Sequence, residues 1–532
     1  MSSVVEQKPI TEISNLEPGF KEKLMGMMPV ILPIAVAGLL IYSRAKFGPS
    51  GFLNEGALTS LALICYIAAS VVLVTNLLVK ENILKNLGLG AIALGYCFNL
   101  SGWMIRWIEA GDLEGWKDGI NGFWRYYPLD TLYALTLGFT CGAALATLVI
   151  VRKPKYSFLG ALSMPLVSVI LTIAILFGNE IRTLMPILDS YWRPIHVSVA
   201  TVAYGVCLVS FGLAFAYLLK DGVRSEAIAI AVILYGFLIY LTIGGYGALA
   251  VPFHAEYGPN VYLMNSFLPI RVVLPWVGPA MALTLLLLVA ALALFIYEWT
   301  KPDMKLKKLA WTIFRVAVFA QAIAIVLVIV QTRGVGDIAK KIPERQYPAF
   351  GEWISNEIAK GSNGVLPPEL AKMSQSDVAK IWINEKAPNL TVSLKSNPVE
   401  FGALVSLFVC LGMVALIAWK RKGIEDTMPS LATIDSLLYK TVGVAFPLLC
   451  LLLITGAVWA NESWGRYWGW DPKETGALIA TMAYAGFLHT RIAHGWRGRR
   501  SAYFALLGFA LVIFTWLGVS FILVGLHSYA QV

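Results

Sequence analysis

The sequence predicts an all-α polytopic integral membrane protein of about 13 transmembrane helices, N-terminus inside and C-terminus outside. Three features lead there. Of the 532 residues, 58% are hydrophobic and 14% charged, where a soluble domain has about 45–50% and about 25%. The apolar residues gather into runs long enough to cross a hydrocarbon core of about 30 Å. The basic residues then fall in the polar stretches between those runs, heavier on every second one.

In chain order the apolar runs are 27–43, 57–79, 87–104, 130–151, 157–177, 195–219, 227–250, 272–298, 310–331, 400–419, 441–460, 475–491 and 501–524. The first residues are polar and no small-residue cleavage site follows the first run, so it reads as a retained span rather than a signal peptide. With the N-terminus inside, the inside segments hold 22 of the 42 Lys and Arg, and the short outside loops hold 10. That asymmetry fixes the orientation.

The net charge of +10 belongs to these loops. No basic groove with interleaved aromatics accompanies it, so nucleic acid is excluded as a partner, and the lipid bilayer is the surrounding medium. Cys65, Cys97, Cys141, Cys207, Cys410 and Cys450 all lie in apolar runs without a CxxC or CxxCH spacing. They read as small apolar filler, which excludes a dithiol oxidoreductase and a c-type cytochrome.

Four regions follow. Residues 1–220 form an N-terminal membrane region containing His196, and 221–331 add further membrane helices. Residues 332–397 form an external polar segment with Pro343, Pro348, Pro367 and Pro368. Residues 398–532 form a C-terminal membrane region. The polar segment has the size of a marginal mini-domain or a lid, with weakly amphipathic stretches such as 374–384.

The richest local pattern is Trp459–Glu474, WANESWGRYWGWDPKE, with Trp459, Trp464, Tyr467, Trp468 and Trp470. An interfacial aromatic belt accounts for some of these rings. It does not call for Gly465 and Gly469, nor for Arg466 and Lys473 beside them. Asp471 suits an N-cap, Pro472 the first helical position, and Glu474 the reciprocal position of a capping box. A helix therefore starts at Pro472 and presents its positive end to the aromatic loop. Capping also accounts for Asp471 and Glu474 without an acid–base role. Flat rings, two cations and a helix N-terminus suit a flat apolar ligand with carboxylates at its edge, and haem is such a ligand.

Trp464-Gly-Arg-Tyr-Trp-Gly-Trp-Asp-Pro-Lys-Glu-Thr475 closely resembles the WWD motif of haem-handling proteins. The match is nearest to the CcsA (ResC) family of System II cytochrome c biogenesis. It continues through Tyr484, Leu488–Arg491, Gly495–Gly498 and Gly525–Tyr529, and upstream through Asp435–Ala460. Tyr191-Trp-Arg-Pro-Ile-His196 with Tyr204-Gly205 belongs to it as well. Arg106-Trp107 with Pro128 and Tyr133 resembles an external loop of the family, in a structural or a ligand-contact role. Gly476 departs from the pattern, standing where the family usually has another tryptophan. The stretch 221–430 is foreign to it.

Of the five histidines, His196 and His527 fall outside, at the depth of the tryptophan loop. The resemblance implies that they ligate the iron of haem b beneath Trp464, Arg466, Tyr467, Trp468, Trp470 and Asp471. His489 lies about 26 Å from Pro472 along the same helix, so it cannot share that haem. The resemblance implies a second, intramembrane haem site there, whose other histidine comes from a companion CcsB/ResB-like membrane protein. His494 is about 140° around the helix from His489 and reads as solvated. His254 has no assignment.

The implied activity is export or presentation of haem and its attachment by thioether bonds to the CxxCH segment of an apocytochrome c. That makes the chain the haem-handling component of a cytochrome c synthase in a bacterial inner (cytoplasmic) membrane, with the WWD face periplasmic. The alternative is a haem-b electron-transfer subunit of a quinone-linked complex, which needs two stacked histidine pairs where only one is clear. A transporter would need acidic residues along the spans, which are almost absent.

Overall fold

The structure is a computed structural model that describes residues 20–116, 124–177, 181, 188–242, 260–262, 270–271, 273–331, 342–361, 367–385, 395–396, 398–519 and 525. Its helices are α1 (Phe20–Phe47), α2 (Glu55–Val79), α3 (Asn82–Glu114), α4 (Leu132–Val151), α5 (Ser157–Phe177) and α6 (Trp192–Lys220). Then come α7 (Ser225–Thr242), α8 (Val277–Thr300), α9 (Met304–Gln331), α10 (Tyr347–Gly361) and α11 (Gln375–Glu385). The C-terminal set is α12 (Pro398–Thr427), α13 (Leu431–Trp464), α14 (Pro472–Ala493) and α15 (Arg499–Ile513), which runs into a π-helical turn, Phe514–Gly518.

Among the described residues, eleven helices are long and apolar enough to cross a membrane. The chain is an all-α, multi-pass membrane protein. The remaining two expected segments lie on α7, a shorter apolar helix, and on α14, which carries Lys473, Glu474 and Arg491 near its ends. The sequence suggested no strands. The structure adds three short ones, β1 (Asn260–Tyr262), β2 (Ile270–Arg271) and β3 (Lys395–Ser396), in the antiparallel order β2-β1-β3.

Local chemistry sets the helix ends. Asn54 caps α2 by accepting from the Ala57 N–H, and Thr131 caps α4 through Ala134. The Ser190 hydroxyl accepts from Trp192 at the start of α6. Pro194 is tolerated in that first turn because an N–H there has no intrahelical acceptor.

Two hydrophobic clusters make up the interior. The first joins α2–α6 to α13–α15. Its centre is α6, packed on α4, α13 and α15. A Cβ on Gly205 of α6 would lie 2.4 Å from the Gly142 carbonyl carbon of α4, so the two backbones touch where only glycine fits, as small residues permit in membrane helices. The second cluster is built from α7, α8, α9, α12 and the polar-segment helices α10 and α11, which bury Phe350, Ile354, Val378, Ala379 and Ile383. The polar segment thus shares a core with the membrane helices beside it. Large apolar side chains such as Leu39, Ile64 and Phe319 point outward, as a lipid surround requires.

Many of the basic residues that set the orientation join these clusters. Arg421 donates to the carbonyls of Leu219 and Val223, and Lys220 to those of Glu425 and Met428. Arg224 pairs with Glu298 at 2.6 Å, and Lys307 with buried Glu226 at 2.9 Å. At the opposite ends of α2–α4, Tyr133 donates to buried Glu55, and the Arg106 guanidinium lies 3.9 Å from Glu55 and over the Tyr133 ring. Arg106 is therefore held in a structural network.

Candidate functional site

The tryptophan segment is formed by three local devices. Helix α13 ends at Trp464 because Gly465 takes a left-handed φ of 69° and returns its N–H to the Asn461 carbonyl. Helix α14 begins at Pro472 behind an Asp471 N-cap with the full capping box. Between them, one Glu474 carboxylate oxygen accepts from the N–H of Gly469 (2.8 Å) and of Asp471 (3.1 Å). This bracket holds Trp470, the residue between, at φ 56°, a conformation that costs an ordinary side chain about 1 kcal/mol. Trp470 is 71% exposed. Trp470→Gly is expected to leave thermal stability unchanged or raised by about 1 kcal/mol. A fall in the unfolding temperature would show that the ring itself supports the fold.

His196 comes to this loop from α6. Its Nδ1 lies 3.1 Å from the Leu452 carbonyl and 3.3 Å from the Thr455 hydroxyl of α13, and its ring is 5.7 Å from that of Trp459. A carbonyl only accepts. Nδ1 therefore carries the proton, which puts the ring's lone pair on Nε2, the nitrogen that would face a metal.

A cavity of about 130 Å³ opens between α6, α13, the loop and α14. Its wall includes His196, Trp464, Tyr467, Trp468, Lys473 and Trp516. Burial pushes the Lys473 ammonium down to about 8, against the opposing pull of the Asp471 carboxylate. The donor set suits a flat ligand: an imidazole with a ligating nitrogen, aromatic faces, and one cation for a carboxylate edge.

The sequence-chosen residues divide in the structure. His196, Trp464, Tyr467 and Trp468 share the cavity. Arg466 lies over Gly469 on the exposed side of the loop, Trp470 faces outward, and Asp471 serves as the cap. His527 and His254 lie outside the described residues, although Gly525 packs directly on Asp471 and Pro472. His489 is exposed at the far end of α14. His494 is exposed too, yet not turned away from it. As the C-cap of α14 it leaves helical geometry, and its ring stands 5.6 Å from that of His489.

Other residues had no role in the site assigned from sequence. Arg193 is buried beside the cavity and donates to the carbonyls of Leu188, Trp124, Arg125 and Tyr127. Gly476, where the related pattern has tryptophan, lets α14 meet Thr515. The π-helical turn at that point places Thr515 and Trp516 in the cavity wall. No helical periodicity signals such a turn. Leu452, Thr455, Gly456 and Trp459 do follow helical spacing along one face of α13.

Comparison with known proteins bears on the same region. Residues 398–527 match the family described as Cytochrome C assembly protein. Cytochrome c biogenesis protein CcsA of Guillardia theta is 42% identical over 194 residues, 31% of this chain and 64% of that protein. CcsA of Mesostigma viride is 56% identical over 96 residues, 18% of this chain and 32% of that protein. CcsA of Prochlorococcus marinus (strain MIT 9515) is 54% identical over 99 residues, 19% and 32% of the two chains. The matches thus span between about a third and 64% of these relatives' length. Residues 398–527, which contain the tryptophan loop, its capped helix and the helix face that meets His196, thus match the cytochrome c assembly family, and the chain is similar over part of its length to CcsA proteins of cytochrome c biogenesis.

Proposed function

We propose that the chain binds haem b on the outer side of the membrane and presents it to an apocytochrome c for covalent attachment. The observation that carries this reading is one cavity that combines His196, protonated on Nδ1, with Trp464, Tyr467, Trp468 and Lys473. Imidazole is a standard axial ligand of haem iron. The aromatic faces suit the macrocycle, and the Lys473 ammonium suits a propionate. His527 is the proposed second ligand, two residues beyond Gly525, which rests on the rim of α14. The haem itself supplies vinyl groups, to which the two thiols of a CxxCH segment add as thioethers. The chain's task is to hold the ring, keep one edge open and exclude water from the buried face.

The orientation that places this face outside follows from the distribution of Lys and Arg, and a bacterial cytoplasmic membrane with the loop on its periplasmic side is the corresponding setting. His489 belongs to a second proposed site. Its exposure at the far end of α14 fits a histidine completed by a companion membrane protein of the CcsB/ResB type. The region 221–430 has its own core, and none of its described residues lines the cavity wall.

The test is a titration of the purified chain with haemin at several pH values. The Lys473 ammonium titrates near 8 in the haem-free fold, so haemin affinity is expected to fall as pH rises past about 8 and the positive partner is lost. The sign for stability is opposite. The folded value lies below the free-lysine value of 10.5, so the haem-free fold gains stability as pH rises between the two. Lys473→Gln should bind haemin more weakly at pH 7 and lose the pH dependence, while Lys473→Arg should bind equally at both ends. Equal affinity of the wild type and Lys473→Gln across this range would refute the assigned role.

A further inference from the structure

His196 meets α13 along a single turn, and that turn is unusual. The Thr455 hydroxyl has one proton, which it directs back into its own helix, to the Leu451 carbonyl at 2.8 Å and, more distantly, the Leu452 carbonyl at 3.2 Å. Its lone pairs are then what it offers to His196 Nδ1 at 3.3 Å. The Leu452 carbonyl, 3.1 Å from the same nitrogen, is likewise an acceptor. Both partners therefore enforce one tautomer. Gly456 supplies the space: a Cβ there would lie 2.7 Å from His196 Cε1 and 3.1 Å from Nδ1. Contacts under 3 Å between carbon atoms are not sustained, so an alanine would push the ring off the helix. Trp459, one turn on, lies across the ring.

We infer that Thr455 and Gly456 form a seat in α13 that fixes the position and tautomer of His196, making both of them positioning residues for its Nε2. The inference rests on the haem-binding reading above for its purpose, but its geometry is independent of it. Histidines that ligate metals commonly donate their other N–H to a carbonyl or hydroxyl partner, and loss of such a partner weakens metal binding by about 10–100-fold. Gly456 also sits in the cavity wall, so the seat and the ligand space are continuous.

Two readouts test the seat. The first uses the haem-free chain, labelled with ¹⁵N-histidine, in detergent. The His196 ring, assigned by its loss in His196→Ala, should show the Nδ1–H tautomer. Thr455→Val removes one of the two acceptors and leaves the Leu452 carbonyl, so Nδ1–H should remain the major form with a fraction of Nε2–H appearing beside it, and Thr455→Ser should restore the wild-type signal. The second is a haemin titration followed by absorption. Thr455→Val is expected to weaken binding by about 10-fold, and Gly456→Ala by at least as much, with Thr455→Ser close to wild type. Should Gly456→Ala fail to fold, the Val and Ser variants at 455 decide. Wild-type tautomer and wild-type haemin affinity in Thr455→Val would overturn the seat. If the tautomer shifts in Thr455→Val while His196→Ala still binds haemin as the wild type does, the seat stands and the haem-binding reading fails.

Discussion

Cells whose only copy of this chain carries His196→Ala are expected to mature cytochrome c at about a hundredth of the wild-type level or less. Loss of a partner behind a metal ligand already costs about 10–100-fold in affinity or activity, and His196 is proposed as the ligand itself. The change removes more than a nitrogen. It leaves the Leu452 carbonyl and the Thr455 hydroxyl without the imidazole N–H, and opens an imidazole-sized void between α6 and the Trp459 ring. Free imidazole fits that void and is expected to restore part of the activity. An effect through misfolding would not respond to imidazole. His494→Ala is expected to have no such effect, because its ring lies with His489 at the opposite end of α14. The measurement is haem-stained cytochrome c per cell. Undiminished maturation in the His196 variant would refute the assignment.

Arg193→Ala is expected to destabilise the outer end of the molecule by about 3–4 kcal/mol. Arg193 is 1% exposed, and its guanidinium ties the start of α6 to the segment 124–127 and to Leu188 through four carbonyls at 2.8–3.3 Å. Hydrogen bonds from a charged group contribute about 1.5–3 kcal/mol each, and carbonyls left buried without a donor add to the loss. Because the segment would be anchored less firmly, cleavage by added protease near Trp124 should speed up before global unfolding does. Arg193→Lys should recover little, since one ammonium lacks the planar spread of donors that reaches carbonyls on two sides. A protease pattern and unfolding temperature equal to wild type in Arg193→Ala would contradict this clamp. Because His196 lies one turn further along α6, the same variant should also weaken haemin binding.

What could be read in advance depended on the range of the interaction. The start of α14 was legible because Asp471, Pro472 and Glu474 determine it within four residues. The apolar segments were legible because each helix meets lipid or core along its own length. The approach of His196 to the tryptophan loop could be anticipated from topology, since both fall at the same membrane depth. Contacts that depend on how helices cross could not. The Thr455–Gly456 turn becomes a seat only once α6 lies on α13. Arg193 becomes a clamp only once the 124–127 segment folds back on it. Trp516 enters the cavity wall through a π-helical turn that meets Gly476 at Thr515, and the same glycine that breaks the related motif makes that approach possible. The positive φ of Trp470 follows from the Glu474 bracket across it, a consequence of the capping box that the capping box alone does not reveal. The rings of His489 and His494 come together because the helix ends between them, which an ideal helical wheel cannot represent.

The cavity between His196 and the tryptophan loop is proposed as a haem site. The most direct measurement is the absorption spectrum and haem content of the full chain purified in detergent, for the wild type, His196→Ala and His489→Ala side by side. A haem spectrum is expected in the wild type and should survive in His489→Ala. In His196→Ala it should be lost, and it should return in altered form when imidazole is added. A wild-type spectrum and wild-type haem content in the His196→Ala protein would contradict that proposal.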